Sequence, residues 1–229
     1  MLFKSKKLND GHDHGDEEEV ESEGSLDPKM ILLPKDEDSR IIGLCGEVEE
    51  NKVAQIIGMM LDMAETAEVE KPTELVKDEA GNDVAKEEDA EVLPIEFLLS
   101  TPGGSADDMF ALYDIMRVVK EKCPIVTFGI GKVMSAGVLL LAAGTKGQRK
   151  IGKNCRVMIH SVIGGTSGSF HNLENEMAEM RYMQEAYLKA LSDESNMSVA
   201  QLKRVINRKV NVYLSAEEAV KMGIADIIV

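Results

Sequence analysis

The sequence predicts an α/β fold on three observations: short apolar β-runs alternate with helical patterns, most helical patterns open on a capping residue, and glycine turns stand between strand and helix. A chain of 229 residues with 44% hydrophobic content carries enough apolar surface for one sizeable core, so one domain with appendages is expected. Residues 1–29 are rich in Asp, Glu, Gly and Ser and poor in large apolar residues. Such a composition cannot offset the entropy of ordering, and a disordered acidic tail is expected there. His12 and His14 within it read as solvated side chains rather than metal ligands, and neither metal nor cofactor is expected to bind the chain.

Ordered structure is expected from about residue 30, followed by a strand at Ile41–Cys45. In NKVAQIIGMMLDMAE, Val53, Ile56, Ile57, Met60, Met63 and Ala64 recur at helical spacing and mark one apolar face. From about 66 to 92 the sequence is acidic, broken at Lys71-Pro72 and Gly81-Asn82, and without period, so a loop-like insertion is expected. IEFLLS (95–100) then reads as a strand, TPGG as a turn, and SADDMFALYDIMRVVKEK as a helix with Ser105 and two aspartates in its first turn, the distribution its dipole favours. PIVTFGIG is a further strand, MSAGVLLLAAG a buried helix entered by a sharp turn, and RVMIH another strand. A long amphipathic helix is expected over 170–191, with Leu173, Met177, Met180, Tyr187 and Leu191 on its apolar side. Ser198 to Gln201 and Ser215 to Glu218 match the capping box and open two final helices, with Gly223 placed to stop the second.

A formal net charge of −15 argues against a surface that wraps phosphate backbones or anionic lipid, since both need a basic face. Neither nucleic acid nor membrane is expected as a partner. The apolar stretch around Val138 to Ala143 is far short of the ~20 residues that span a bilayer, and the basic start of the chain lacks the apolar core of a secretion signal. Cys45, Cys123 and Cys155 are odd in number and set among apolar residues, which points to reduced thiols and a cytoplasmic location.

Three places carry candidate chemistry. Ser135 stands between a β-run and an apolar helix with small neighbours, Ala136 and Gly137, where backbone N–H groups can stabilise a developing oxyanion. Serines at helix starts are ordinarily caps, so the position gains weight only from its company. STPGGSADD supplies a second strand-to-helix turn whose glycines allow close approach of the main chain to a ligand. RVMIH ends an apolar strand on His160, alone among the four histidines.

The order STPGG, GKVMSAGVLLLAAG, RVMIH-SVIGGTSGS and YLSAEEAVKMGIAD resembles the Clp protease proteolytic subunit family, and the likeness runs from about residue 40 to 229. The resemblance implies a ClpP/crotonase-type fold of repeated strand-strand-helix units, with the 170–191 helix protruding as a handle. It implies a serine peptidase in which Ser135 is the nucleophile, His160 the general base, and the N–H groups of Gly104 and Ala136 the oxyanion hole. Substrate would lie as an added strand between Ser105–Ala106 and the segment from Ile163 to Gly165. Counting back from YLSAEEA, the position of the family's catalytic aspartate falls on Asn207. An asparagine can orient a histidine but lends it no charge.

The resemblance further implies a homo-oligomer of two stacked heptameric rings acting on polypeptide substrates. An AAA+ unfoldase is the family's partner, but Glu96 and Leu98 stand where aromatic side chains form its docking pockets, which marks a divergent, phage-type member and argues against standard docking. Two alternatives remain at this stage. One is a catalytically weak or inactive ring subunit, on the evidence of Asn207; the other is a crotonase-like acyl-CoA enzyme, which would not need the serine and histidine.

Overall fold

The computed structural model describes residues 39–69, 90–165, 167–208 and 210–229, together with the strand backbone of 74–77 and 83–86. The expected tail, with His12 and His14, and the expected start of order near residue 30 lie outside the described residues.

Strand β1 (Ile41–Cys45) leads into helix α1 (Glu50–Glu65), which buries Val53, Ile56, Met60 and Ala64. The segment expected to be a loop contains strands. β2 (Glu68–Val69) and β3 (Glu74–Lys77) are followed by β4 (Asp83–Lys86) and β5 (Glu91–Val92), with β3 antiparallel to β4 and β2 antiparallel to β5. Backbone pairing between two neighbouring segments needs no hydrophobic period, so polar sequence does not advertise such a ladder. β6 (Ile95–Thr101) and helix α2 (Ala106–Val119) come next, then β7 (Ile125–Met134), helix α3 (Ala136–Ala142), β8 (Lys150–Ile151) and β9 (Arg156–Ile159). The chain ends with α4 (Phe170–Glu194), α5 (Val199–Ile206), β10 (Val212–Leu214), α6 (Ala216–Lys221) and β11 (Ile227–Ile228). Both predicted capping boxes are formed, by Ser198 with Gln201 and by Ser215 with Glu218.

The main sheet has seven strands in the order β1-β6-β7-β8-β11, with β9 also joined to β7 and β10 to β9. Its pairings are parallel apart from β10 on β9. This arrangement bears out the α/β class. The long strand β7 serves two neighbours because its ladder with β6 slips: Leu99 faces Gly129 but Thr101 faces Val133. Four residues of β7 thus span two of β6, and the bulge bends the strand so that Lys132–Met134 pair with Arg156–Met158 of β9. That bend brings the ends of β7 and β9 side by side. Helix α3 is buried on every side, as its unbroken apolar sequence requires, and it packs against α2, which buries Met109, Leu112 and Met116.

Helix α4 is two-natured. Its buried residues are Tyr187, Leu188, Ala190, Leu191 and Glu194, all near the C-terminal end. Residues 170–186, roughly 25 Å of helix at 1.5 Å per residue, project from the sheet. Phe170, Met177 and Tyr182 are more than half exposed on this part. No described helix is long and apolar enough to cross a membrane. Cys45 is half-buried, while Cys123 and Cys155 are buried; all three are free thiols, and burial pushes the Cys155 thiol up to about 11.

The C-terminal ends of α3 and α4 are tied together by Arg149, which is 4% exposed. Its Nη1 donates to Ala142 O (3.1 Å) and Glu194 O (2.7 Å), and its Nε and Nη2 grip both oxygens of Asp226 at 2.8 and 2.6 Å. The hydrogen bond from Arg149 holds the Asp226 carboxyl below its ordinary value. A lowered folded pKa stabilises the native state above the ordinary aspartate value of about 3.9, and that contribution is lost as the pH falls through the lower folded value. Arg149→Met removes the guanidinium from Asp226 and the donor from two helix-end carbonyls, while the N–H groups of Gly147 and residue 149 still donate to the partly exposed Asp226 carboxylate. The loss is expected to be about 3 kcal/mol, the lower end of the range for breaking a buried pair. Urea unfolding at neutral pH checks the size of the loss. Repeating it towards pH 3 should show a shallower acid limb in the variant.

Candidate active site

The turn after β6 and the turn after β7 meet. Gly103 has φ +102, and a Cβ placed on it would lie 2.5 Å from Ser135 Cβ and 3.0 Å from Ser135 Oγ. Only a residue without a side chain allows the two turns to touch in this way. Gly104 is equally constrained on its other side, where a Cβ would stand 2.1 Å from Val48 O. Val48 clamps the turn by donating its N–H to Gly103 O and accepting from Ser105 N–H, both at 2.9 Å. Ser105 then caps α2, its Oγ accepting from Asp108 N–H at 3.2 Å.

Ser135 is the sole non-glycine residue with positive φ among those described (φ 54, ψ −120). Such a conformation costs on the order of 1–3 kcal/mol and persists only where the surroundings hold it. Its N–H is anchored to Met158 O of β9 at 2.8 Å, and its carbonyl accepts from Val138 N–H at 3.0 Å. The serines that precede α2, α4, α5 and α6 all accept a backbone N–H in their side chains, whereas the Ser135 hydroxyl caps nothing. The ordinary reason for a serine at a helix start is therefore absent here. A strained strand-to-helix turn that presents an uncommitted hydroxyl is the geometry of a nucleophile elbow.

His160 follows β9 directly, and pairing of β7 with β9 sets Met134 opposite Met158, so the two strands deliver Ser135 and His160 to one place. Both line a cleft of about 360 Å³, together with Gly104, Ser105, Ala106 and Ile163. The Nδ1 of His160 lies 2.5 Å from the Ser161 carbonyl oxygen. A carbonyl only accepts, so Nδ1 carries the proton and Nε2 is the bare, basic nitrogen. Neither Gly104 N–H nor Ala136 N–H donates in the described turn and cap hydrogen bonds. Ala136 opens α3, where the first N–H groups have no intrahelical acceptor.

Seven of the nine residues singled out from sequence line or border this cleft: Ser135, His160, Gly104, Ala136, Ser105, Ala106 and Ile163. Gly165 does not. It lines a neighbouring groove of about 460 Å³ with Val162, Leu173, Met177 and Met180, because the chain after Ile163 turns along α4. Asn207 does not line the cleft either. It ends α5 as its C-cap, exposed, with its N–H bonded to Lys203 O.

The register of β10 points to a different asparagine. Val212 faces Ile159, Tyr213 faces Met158 and Leu214 faces Val157, and the same register continued one step past the ladder would set Asn211 across from His160. Residues directly opposite in an antiparallel pair share a face, with Cβ atoms roughly 5 Å apart. Counting along the chain missed this, because a three-residue strand leaves almost no pattern and its register is set only when β10 packs on β9.

A sequence profile of the Clp protease family matches residues 76–229. Similar proteins include the ATP-dependent Clp protease proteolytic subunit 3 of Synechococcus sp. (strain CC9605), 39% identical over 134 residues that cover 58% of this chain and 65% of the relative. The protein of the same name from Parasynechococcus marenigrum is likewise 39% identical over 134 residues, with the same coverage. The ATP-dependent Clp protease proteolytic subunit 1 of Rhodopirellula baltica is 33% identical over 132 residues, covering 58% of this chain and 56% of the relative. The matched region thus spans less than two thirds of the length of each of these relatives.

Proposed function

The chain belongs to the Clp protease family, and on that premise we propose that it is a serine-type endopeptidase that hydrolyses unfolded polypeptides or short peptides inside a self-compartmentalised ring. Ser135 Oγ bonds to the scissile carbonyl carbon while its proton passes to Nε2 of His160. The carbonyl oxygen becomes an oxyanion held by the N–H groups of Gly104 and Ala136. As the C–N bond breaks, His160 returns the proton to the leaving amine and an ester remains on Ser135. A water molecule then repeats the sequence, freeing the acid and restoring the serine. The peptide lies as an added strand against Ser105 and Ala106 on one side and Ile163 on the other, and main-chain pairing of this kind reads little sequence. Two stacked heptameric rings in the cytoplasm are the assembly this reading carries. Exposed Glu96 on β6 argues against docking of a standard AAA+ unfoldase.

The observation that carries the reading is the strained backbone of Ser135 coupled to a side chain that caps nothing. The purified protein is expected to take up a fluorophosphonate at Ser135 and to cleave short unstructured peptides without ATP, since the chain contains no GxxxxGK[ST] phosphate loop. No labelling of folded protein would sink the reading.

A second reading, a ring subunit with little or no catalysis, is favoured by an asparagine across from His160 where a carboxylate would stabilise the imidazolium. The Ser161 carbonyl already selects the productive tautomer, so a carboxylate there would add charge rather than orientation. Asn211→Asp is therefore expected to raise the acylation rate about tenfold, short of the ~10⁴ that accompanies loss of both effects. Asn207→Asp should leave it within about twofold, as expected for an exposed site. Pre-steady-state peptide cleavage checks both; a gain at 207 and none at 211 would reverse the assignment.

A further inference from the structure

Tyr187 is 7% exposed and stands where α4 enters the core. Its ring lines the same cleft as Ser135 and His160, and its hydroxyl donates to the Ser135 carbonyl oxygen at 3.3 Å. We infer that Tyr187 is a positioning residue for peptide hydrolysis: by holding the Ser135 carbonyl, it aims the Ala136 N–H of the same peptide unit at the developing oxyanion. This rests on the assignment of Ser135 as nucleophile.

The argument starts from the planarity of one peptide bond. The Ser135 carbonyl and the Ala136 N–H belong to the same trans unit, so they point in opposite directions and fixing one fixes the other. The orientation of that plane is set by ψ of Ser135, −120°, in a sparsely populated region to which the chain does not go unaided. Upstream, the N–H of Ser135 is pinned to Met158 O. Downstream, the carbonyl accepts from Val138 N–H in the first turn of α3 and from Tyr187 on α4. Among the described residues, Tyr187 is the one side chain whose hydrogen bond restrains this peptide from outside the turn.

A second effect acts in the same direction. Hydrogen bonds accepted by a carbonyl polarise its amide and make the attached N–H a stronger donor. The first N–H of α3 thus faces the cleft both aimed and strengthened. Burial raises the phenol pKa well above its ordinary value, so the hydroxyl remains a donor at neutral pH. A buried tyrosine needs some partner for its hydroxyl, and a role in packing alone would be satisfied by any acceptor. What separates the two roles is the kinetic step affected. An oxyanion donor acts after substrate has bound, so its misalignment lowers kcat and leaves KM unchanged.

Tyr187→Phe removes the hydroxyl and keeps the ring. The variant is expected to lose about three- to tenfold in kcat for a short peptide, with KM unchanged, less than the 10²–10³ lost when an oxyanion donor is deleted. Fluorophosphonate labelling of Ser135 should slow by the same factor, and a peptide boronate, whose tetrahedral adduct sets an oxygen in the same position, should bind correspondingly less tightly. Melting temperature and assembled size report that the variant is folded. Tyr187→Met, which also lacks the hydroxyl, should show the same loss and serves if Tyr187→Phe does not fold. Unchanged labelling in a folded variant, or an effect confined to KM, overturns the inference alone. Absence of labelling in the wild-type protein overturns it together with the proposed function.

Discussion

Replacing Ser135 by alanine is expected to abolish fluorophosphonate labelling and to lower peptide hydrolysis by a factor on the order of 10⁶, the loss seen when the nucleophile of a serine peptidase is removed. The fold should not suffer. The Ser135 side chain makes no capping hydrogen bond, so alanine leaves no backbone donor unpaired. The positive φ strains alanine no more than serine, since both carry a Cβ, and the ties through Met158, Val138 and Tyr187 all use the backbone of residue 135. Thermal unfolding of the variant within a few degrees of wild type, joined to absent turnover, is the expected pair of results. Turnover near the wild-type rate would place the nucleophile elsewhere.

The second large effect concerns assembly. The projecting part of α4 exposes Met177 at 52%, beside a groove that Met177 shares with Leu173, Met180 and Val162. An apolar groove on a helix standing clear of its own core is the kind of surface a soluble chain covers in an assembly. Glutamate at both Met177 and Met180 would set two charges in this groove, and a charge buried at an interface without a partner costs several kcal/mol per contact. Repetition around a ring multiplies the penalty. Light scattering is expected to show the proposed double ring broken into single rings or smaller species, with peptidase activity falling alongside, because the segment that borders the groove, Val162 to Gly165, leads directly from His160. A wild-type protein that is monomeric at micromolar concentration, or a doubly substituted protein that remains fully assembled, would refute this.

Much of the site was legible because its parts are local. Ser135 with its small neighbours, the PGG turn and a histidine closing an apolar run are each contained in a few consecutive residues, and each carries a steric or chemical requirement that narrows the residue types allowed. The helices were legible for the same reason: the face Val53, Ile56, Met60, Ala64 of α1 and the two capping boxes depend only on spacing within the element. The ladders around β3 and β4 were not, since their sequence alternates nothing and their pairing is a backbone property. Gly165 was set beside the substrate by the family resemblance, whereas it lines the neighbouring groove against α4.

By itself, then, the amino-acid sequence determined the α/β class and the helix boundaries to within about three residues, and it singled out the serine, the histidine and the two glycine-bearing turns. Tertiary structure alone decided the register between β9 and β10, strands separated by more than fifty residues, and it is that register which points to Asn211 rather than Asn207. It decided that Ser135 takes a positive φ, a strain imposed by the bulge in β7, the anchor to β9 and the crowding of Gly103, none of which is local to the serine. It also decided that Tyr187, read from its spacing as one more apolar residue of a long helix, sets its hydroxyl on the nucleophile's carbonyl. Periodicity tells which side of a helix is buried; only packing tells which atom waits on the other side.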